Sequence, residues 1–210
     1  MKLWSAFYPD VLPELPGAPL PVVDHYLRNA TIEFCERTRA YVVDLALIDA
    51  VAEQMSYPLV MPADTELVDV VSAKYLGESI TPKSPGYLDD KYGDWTVETG
   101  TPEHYTHQAT DAILLVPAPA DAATDALKIK ASIRPALSAT GVDDWFFNLY
   151  RLSLAAGCKA KMMAMKDVTW ADPERVALNL GAFESAIVKA TGAVANGFTR
   201  ARPRFSGGFV

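Results

Sequence analysis

Cysteine is scarce in this chain, which has only Cys35 and Cys158 among its 210 residues. Both lie in apolar stretches with helical periodicity, where cysteine commonly behaves as a small buried hydrophobe. We therefore expect no structural disulfide. Neither cysteine has a histidine close to it in sequence, which argues against a thiol nucleophile.

Long hydrophobic runs are also absent. The richest apolar segment, 145–165, is interrupted by Asn148, Arg151 and two lysines, and a membrane span needs about 18 uninterrupted apolar residues. The first residues have no sustained apolar core before Pro9, so we expect no signal peptide and a protein that stays in the cytoplasm where it is made.

The familiar catalytic motifs are missing. The sequence has no Gly-x-Ser-x-Gly, no phosphate-binding Gly-x-x-x-x-Gly-Lys and no Gly-x-Gly-x-x-Gly. These absences exclude the easily recognised hydrolases, nucleotidases and dinucleotide enzymes.

The histidines and acidic residues do not form a convincing site. His104 and His107 lie in a predicted strand, where residues three apart point to opposite faces and cannot share one ion. Asp89, Asp90 and Asp94 lack the spacing of a calcium loop, which favours a solvated loop. We expect no metal, no cofactor and no enzymatic activity. An enzyme of unrecognised type that uses this loop or His104 is the alternative of another class.

Apolar residues make up half of the chain, which is enough to bury a sizeable core. The net charge is −7. An acidic body argues against tight binding of nucleic acid, because that affinity comes mainly from Lys and Arg.

Helical periodicity marks both ends of the chain. A helical part is predicted over 21–44 and another over 143–198, the second divided into two helices. The apolar stripes predicted for these three helices are, in order, Val23, Leu27, Ala30, Phe34, Thr38 and Tyr41; Trp145, Leu149, Leu152, Ala156, Ala160 and Met163; and Val176, Leu180, Phe183, Ile187 and Ala190. Four prolines in the first twenty residues predict an extended segment that follows the surface.

A β section is predicted between the helices, over about 57–135. Alternation and turn residues predict strands near 57–60 and over 66–76, 103–109, 112–116 and 126–133. Segment 77–100 is rich in loop formers, with Trp95 as an anchor. The fold class is therefore α+β: a helical body with an inserted antiparallel β section, forming a single domain over 1–198.

The last twelve residues, Thr199–Val210, differ from the rest. They carry three positive charges and no acidic residue, and they cannot bury enough apolar surface to fold alone. We expect an extended C-terminal arm that orders on a partner protein. The residues expected to bind are Arg200, Arg202, Arg204, Phe205 and Phe209, since arginine suits carboxylates and phenylalanine fills pockets. A solvated tail and a phosphate contact are the alternatives.

Several segments together give the chain a family likeness. They are Phe7–Gly17, Asn29–Thr38, Asp94–Trp95 with Gly100–Pro102, Leu114–Pro119, Gly157–Ala160 and Trp170–Pro173. With these segments in this order, the chain resembles the head-to-tail connector (neck adaptor) proteins of tailed bacteriophages.

The resemblance implies a structural protein of the virion neck that has no catalytic residues. Its expected partners are the portal protein, a tail or nozzle protein, and copies of itself in a dodecameric ring through which DNA passes during ejection. The arm would reach toward the portal. A tail-completion or tail-terminator protein is the alternative within the same setting.

Overall fold

The structure is a computed structural model that describes residues 1–109 and 111–197. It is mixed α+β, as the sequence predicts. The helices and strands follow in the order β1 (Lys2–Leu3), α1 (Tyr8–Val11), α2 (Leu20–Thr38), β2 (Val42–Asp44), β3 (Ile48–Ala50), β4 (Ser56–Pro58), β5 (Thr65–Tyr75), β6 (Glu78–Pro82), α3 (Pro85–Tyr92), β7 (Thr99–Gly100), β8 (His104–Ala109), β9 (Ala112–Val116), β10 (Ala118–Pro119), β11 (Ala123–Pro135), β12 (Gly141–Val142), α4 (Asp144–Met163) and α5 (Pro173–Ala195).

The chain forms two compact units. The first, which we call the helical unit, combines residues 1–41 with the described residues 135–197, and the second, the sheet unit, is the segment Val42–Arg134. The sheet unit is thus an insertion between two parts of the helical unit. Its first strand begins at Val42, earlier than the predicted start near residue 57.

The first fifteen residues correct the prediction of an extended surface segment. They form two 3₁₀ turns, Trp4–Phe7 and Leu12–Glu14, on either side of α1. Pro9 and Pro13 are compatible with these turns because each lies in the first turn of its helix, where the backbone N–H has no partner within the helix. Four side chains of the segment are fully buried or nearly so: Trp4, Phe7, Val11 and Leu15. Trp4 Nε1 also donates to the Ala139 carbonyl over 2.7 Å.

Helix α2 follows the predicted stripe but ends early. Its stripe residues from Val23 to Thr38 are buried, as expected. The helix stops because Arg39 adopts a left-handed conformation with φ of 53°, and its N–H closes the last turn on the Cys35 carbonyl. The predicted helical stretch to residue 44 is therefore wrong after Thr38, and its last three residues are β2.

Helices α4 and α5 complete the helical core against α2. Phe34 of α2 lies at the centre, with its ring 4.8 Å from Tyr150 and 6.1 Å from Phe183. Helix α5 begins as predicted, with Pro173 in the first turn and the Asp172 carboxylate accepting the Arg175 N–H.

In the described part of the chain, eight strands of the sheet unit form one sheet. Its order is β2, β11, β5, β6, β8, β9, β4, and β3 also pairs with β11. Most of the pairs with a defined register are antiparallel, but β6 and β8 run parallel, with Thr81 opposite His104. The sheet is therefore mixed rather than antiparallel throughout.

Segment 77–100 holds more structure than the predicted loop. It contains β6, which pairs with β5, and α3, which Ser84 caps by accepting the Tyr87 N–H. Trp95 is a buried anchor, as predicted, and packs in a small cluster with Leu88 and Val116.

The long strands β5 and β11 carry the sheet core. All four predicted inward residues of β11, from Leu127 to Ile133 by alternation, are buried. In β5 the prediction holds for Ala73 and Tyr75 but fails at Val71, which is 45% exposed while Val70 is buried. Val71 and Ser72 are both exposed, so the alternation changes phase between these two residues.

Candidate functional site

The predicted arm lies outside the described residues. Arg200, Arg202, Arg204, Phe205 and Phe209 all belong to 198–210, which the structure does not describe. Their role in binding a partner stays a prediction.

His104 serves the packing of the sheet unit. Its Nδ1 lies 2.8 Å from Thr81 Oγ1 and its Nε2 lies 3.0 Å from Lys91 Nζ. Burial and the charge of Lys91 lower the pKa of the imidazole, which favours the neutral ring. Because Lys91 can only donate, Nε2 accepts and Nδ1–H donates to Thr81. Both nitrogens are therefore occupied within the unit.

The other candidate side chains are also hydrogen-bonded within the fold, buried, or too far apart to form a site. Asp89 accepts the Trp95 indole N–H over 2.7 Å and so fixes the anchor. Burial raises the pKa of the Cys158 thiol from 9.0 to about 12, which keeps it protonated and unreactive near neutral pH. Residues 1–109 and 111–197 contain no group of three His, Cys, Asp or Glu side chains that could hold a metal ion.

An apolar face on α4 is the first notable surface feature. Three residues of its predicted core stripe, Trp145, Leu149 and Leu152, are 41%, 57% and 63% exposed, whereas Ala156, Ala160 and Met163 are buried. The prediction was wrong for the first half because α4 carries a second apolar face. That face, with Phe146, Phe147, Tyr150 and Leu154, takes the core.

Helix α5 is even less polar around its circumference. Between Ala177 and Ala195 its only charged residues are Glu184 and Lys189. Glu184 is already engaged, because its carboxylate binds the Arg37 guanidinium of α2, with Oε1 2.6 Å from Nη1. The pairing lowers the pKa of Glu184 and keeps it charged.

The core stripe of α5 is only partly as predicted. Phe183, Ile187 and Ala190 are buried, but Leu180 is 46% exposed, and Asn179 is buried instead. Leu178 and Val188 also lie on the outside.

A groove of about 520 Å³ lies between α4 and α5. We call it the α4–α5 groove. Its described lining residues are Leu149, Tyr150, Ser153, Ala182, Ser185, Ala186, Lys189, Ala190 and Ala193. Small side chains form the α5 wall, and among the described lining residues Lys189 alone is charged. Such a groove can pack against apolar side chains of another molecule, because the buried core of a protein interface is largely apolar.

The sheet unit has a different feature, a hollow of about 280 Å³ that is lined by lysines. Lys74 of β5 and Lys128 and Lys130 of β11 project from the same exposed face as Ser72. Asp44 partly offsets their charge, with its carboxylate 3.8 Å from Lys130 Nζ. Alternation on β11 already placed both lysines opposite the buried residues, so a strand pattern could have found this hollow.

Within the described ranges, no helix is long and apolar enough to cross a membrane.

The notable described surfaces are thus an exposed apolar face on α4 and the α4–α5 groove beside it, which are features typical of protein contact surfaces. Comparison with known families agrees. The sequence model of the SU10 adaptor protein family matches residues 6–204, and the chain belongs to this family. No curated protein matches the chain.

Membership gives the coarse identity. The SU10 adaptor proteins are a phage head–tail adaptor family, so the protein is a structural adaptor of the virion that interacts with other virion proteins. The family points to a protein that is not an enzyme. The residues that carried the family likeness in the sequence lie within the matched range.

Proposed function

We propose that this adaptor forms a homo-oligomeric ring, a dodecamer, in the neck of the virion. The ring joins the portal protein to a tail or nozzle protein and continues the DNA channel. The observation that carries the proposal is the exposed apolar surface of α4 and α5, which a chain acting alone would leave in water. In an adaptor, such a surface serves contacts with other virion proteins.

The arm supplies the contact with the portal. Three arginines spaced two apart can form bidentate pairs with carboxylates, and Phe205 and Phe209 can anchor in pockets.

The charge of the chain suits a channel that DNA must cross. With a net charge of −7, the protein offers DNA little general attraction, so DNA slides past without sequence-specific binding.

Deletion of Thr199–Val210 tests the portal assignment. We expect the truncated protein to keep its circular dichroism spectrum but to lose co-sedimentation with purified portal. A matched variant, in which all three arm arginines are replaced by lysine, keeps the charge but loses the bidentate geometry, and it should bind more weakly than the parent. Unchanged portal binding after deletion would disprove the role of the arm.

The same material separates the alternative function. A pull-down against portal and tail tube proteins should recover portal. Recovery of the tail tube alone would instead identify a tail-completion or tail-terminator protein.

A further inference from the structure

The basic residues of the sheet unit are unevenly placed. Residues 42–134 contain fifteen Asp and Glu but only six Lys and Arg, which gives a net charge of −9. Three of those six cations, Lys74, Lys128 and Lys130, line one hollow of about 280 Å³, which we call the lysine hollow. Half of the basic side chains of a strongly acidic unit are therefore gathered at one place.

The strands hold these lysines together. β5 and β11 are neighbours in the sheet, and directly after β5 the Leu76 N–H donates to the Ala126 carbonyl over 2.8 Å. Lys128 and Lys130 are two residues apart on β11, so alternation places both on its exposed face. Lys74 lines the same hollow from β5. Because neighbouring strands lie about 4.8 Å apart, three ammonium groups carried by paired strands converge on one hollow.

Most of this positive charge has no negative charge beside it. Asp44 Oδ1 lies 3.8 Å from Lys130 Nζ, and because the two side chains are 57% and 46% exposed, the pair is weak. Among residues 1–109 and 111–197, neither Lys74 nor Lys128 forms an ion pair with a carboxylate. Like charges that face each other across neighbouring strands destabilise a sheet, and a bound anion relieves their repulsion.

The lining of the lysine hollow favours a phosphate group over the surface of a protein. Its described lining residues are the three lysines, Ser72 and Asp44, with no apolar or aromatic side chain among them. The cores of protein interfaces are apolar and depleted of lysine. Arginine suits carboxylates because its fork is planar, whereas lysine binds phosphate as a point charge. The Ser72 hydroxyl adds a further donor, and the charge of Asp44 is offset by Lys130.

We propose that the lysine hollow is a binding site for phosphate groups, which accept hydrogen bonds from the ammonium groups of Lys74, Lys128 and Lys130. The phosphate can be a free anion or part of a nucleic-acid backbone, since both present the same charged oxygens. The inference goes beyond the proposed function and needs neither the ring nor the portal contact. Either can therefore fail without the other.

Inorganic phosphate tests the free anion. Phosphate that replaces chloride at constant ionic strength should raise the thermal unfolding temperature of the full-length protein, because a ligand of the folded state stabilises it. The hollow variant, Lys74→Gln/Lys128→Gln, should lose this rise. The control variant, Lys2→Gln/Lys166→Gln, removes the same charge from two exposed lysines of the helical unit and should keep it. Circular dichroism checks that both variants are folded.

A labelled double-stranded oligonucleotide tests the nucleic-acid backbone. Fluorescence anisotropy at several salt concentrations gives the affinity and its salt dependence. At low salt the hollow variant should bind about tenfold more weakly than the control variant, and the slope of log K against log salt should be smaller by about two, because two phosphate contacts are lost. The arm is intact in both variants, so the difference between them excludes its contribution.

The two probes also identify the source of the phosphate. Loss in the hollow variant of the response to inorganic phosphate, of DNA binding, or of both supports the site and names the ligand. Equal behaviour of the hollow and control variants with both probes would overturn the proposal. A glutamate hexapeptide that binds the parent more tightly than either probe, and that the hollow variant no longer binds, would also overturn it, since the ligand would then be an acidic protein segment.

Discussion

Gly157 shows how one residue sets the spacing of the three main helices. It lies in α4 at a point where an added Cβ would stand 2.7 Å from Phe183 Cε2 and 3.1 Å from Ala30 Cβ. Glycine inside a helix normally costs stability because of its backbone freedom. Here glycine lets Ala30 of α2 and Phe183 of α5 pack directly against α4. The gain in core packing offsets the lower helix propensity of glycine.

Gly157→Ala should therefore destabilise the protein although alanine favours helices. We expect a net loss of about 1–3 kcal/mol in the free energy of unfolding, the usual range for overpacking a core. Urea unfolding followed by circular dichroism measures it.

Gly181→Ala and Gly192→Ala are the matched controls. Both glycines lie in α5 with nothing within 4 Å of an added Cβ. These variants should gain about 0.5–1 kcal/mol. A Gly157→Ala protein as stable as these controls would show that Phe183 moves aside at little cost.

At the scale of elements, the short turns before α2 belong to the core of the helical unit. Phe7 is fully buried and its ring meets Phe147 edge-on, with centroids 4.7 Å apart. Phe7→Ala should cost about 3–5 kcal/mol, the range for removing a buried aromatic side chain.

Leu3→Ala provides the comparison in the same segment, since Leu3 is 53% exposed. It should change the free energy of unfolding by less than about 0.5 kcal/mol. Thermal or urea unfolding of both variants gives the two values. If both variants changed the free energy of unfolding by a similar small amount, the first fifteen residues would be an extended surface segment, as their prolines predicted, and not part of the core.

The sequence predicted helices and strands well wherever a residue pattern was compatible with only one structure. Strand β9 has its predicted bounds, and the alternation in β11 identified its buried face. The cap and first turn of α5 also followed from Asp172 and Pro173.

Prediction failed where a pattern had two physical readings. Helix α4 has two apolar faces, and periodicity does not say which one meets the core, so the exposed stripe from Trp145 to Leu152 was assigned to the interior. The early prolines break long helices but also start short ones, and Ser84 before Pro85 was an unused signal for α3. The exposed face of α4 and the groove beside it could not be found without knowing how α4 is rotated.

At the scale of the whole molecule, the sheet unit enters and leaves the helical unit through neighbouring strands. Val42 of β2 is paired with Ser132 of β11 in antiparallel register, so the two ends of the insertion lie side by side. A short turn can therefore replace the insertion without stretching the chain.

We expect a variant with residues 43–131 replaced by Asn-Gly to retain a folded helical unit. Its core residue Phe34 contacts both Phe146 and Phe183 within that unit. Far-ultraviolet circular dichroism and cooperative thermal unfolding are the measurements. Loss of cooperative unfolding would favour the single adaptor domain over 1–198, which stays a prediction.

The position of the insertion also has a consequence for synthesis. Residues 1–41 leave the ribosome first, but their partners α4 and α5 follow only after the roughly ninety residues of the sheet unit. At a synthesis rate of about 5–20 residues per second, Phe7 and Phe34 remain for several seconds without the residues of α4 and α5 that bury them in the folded protein. The nascent chain thus passes through a stage in which residues 1–41 are open to chaperones, and the helical unit closes only after α4 and α5 have been made.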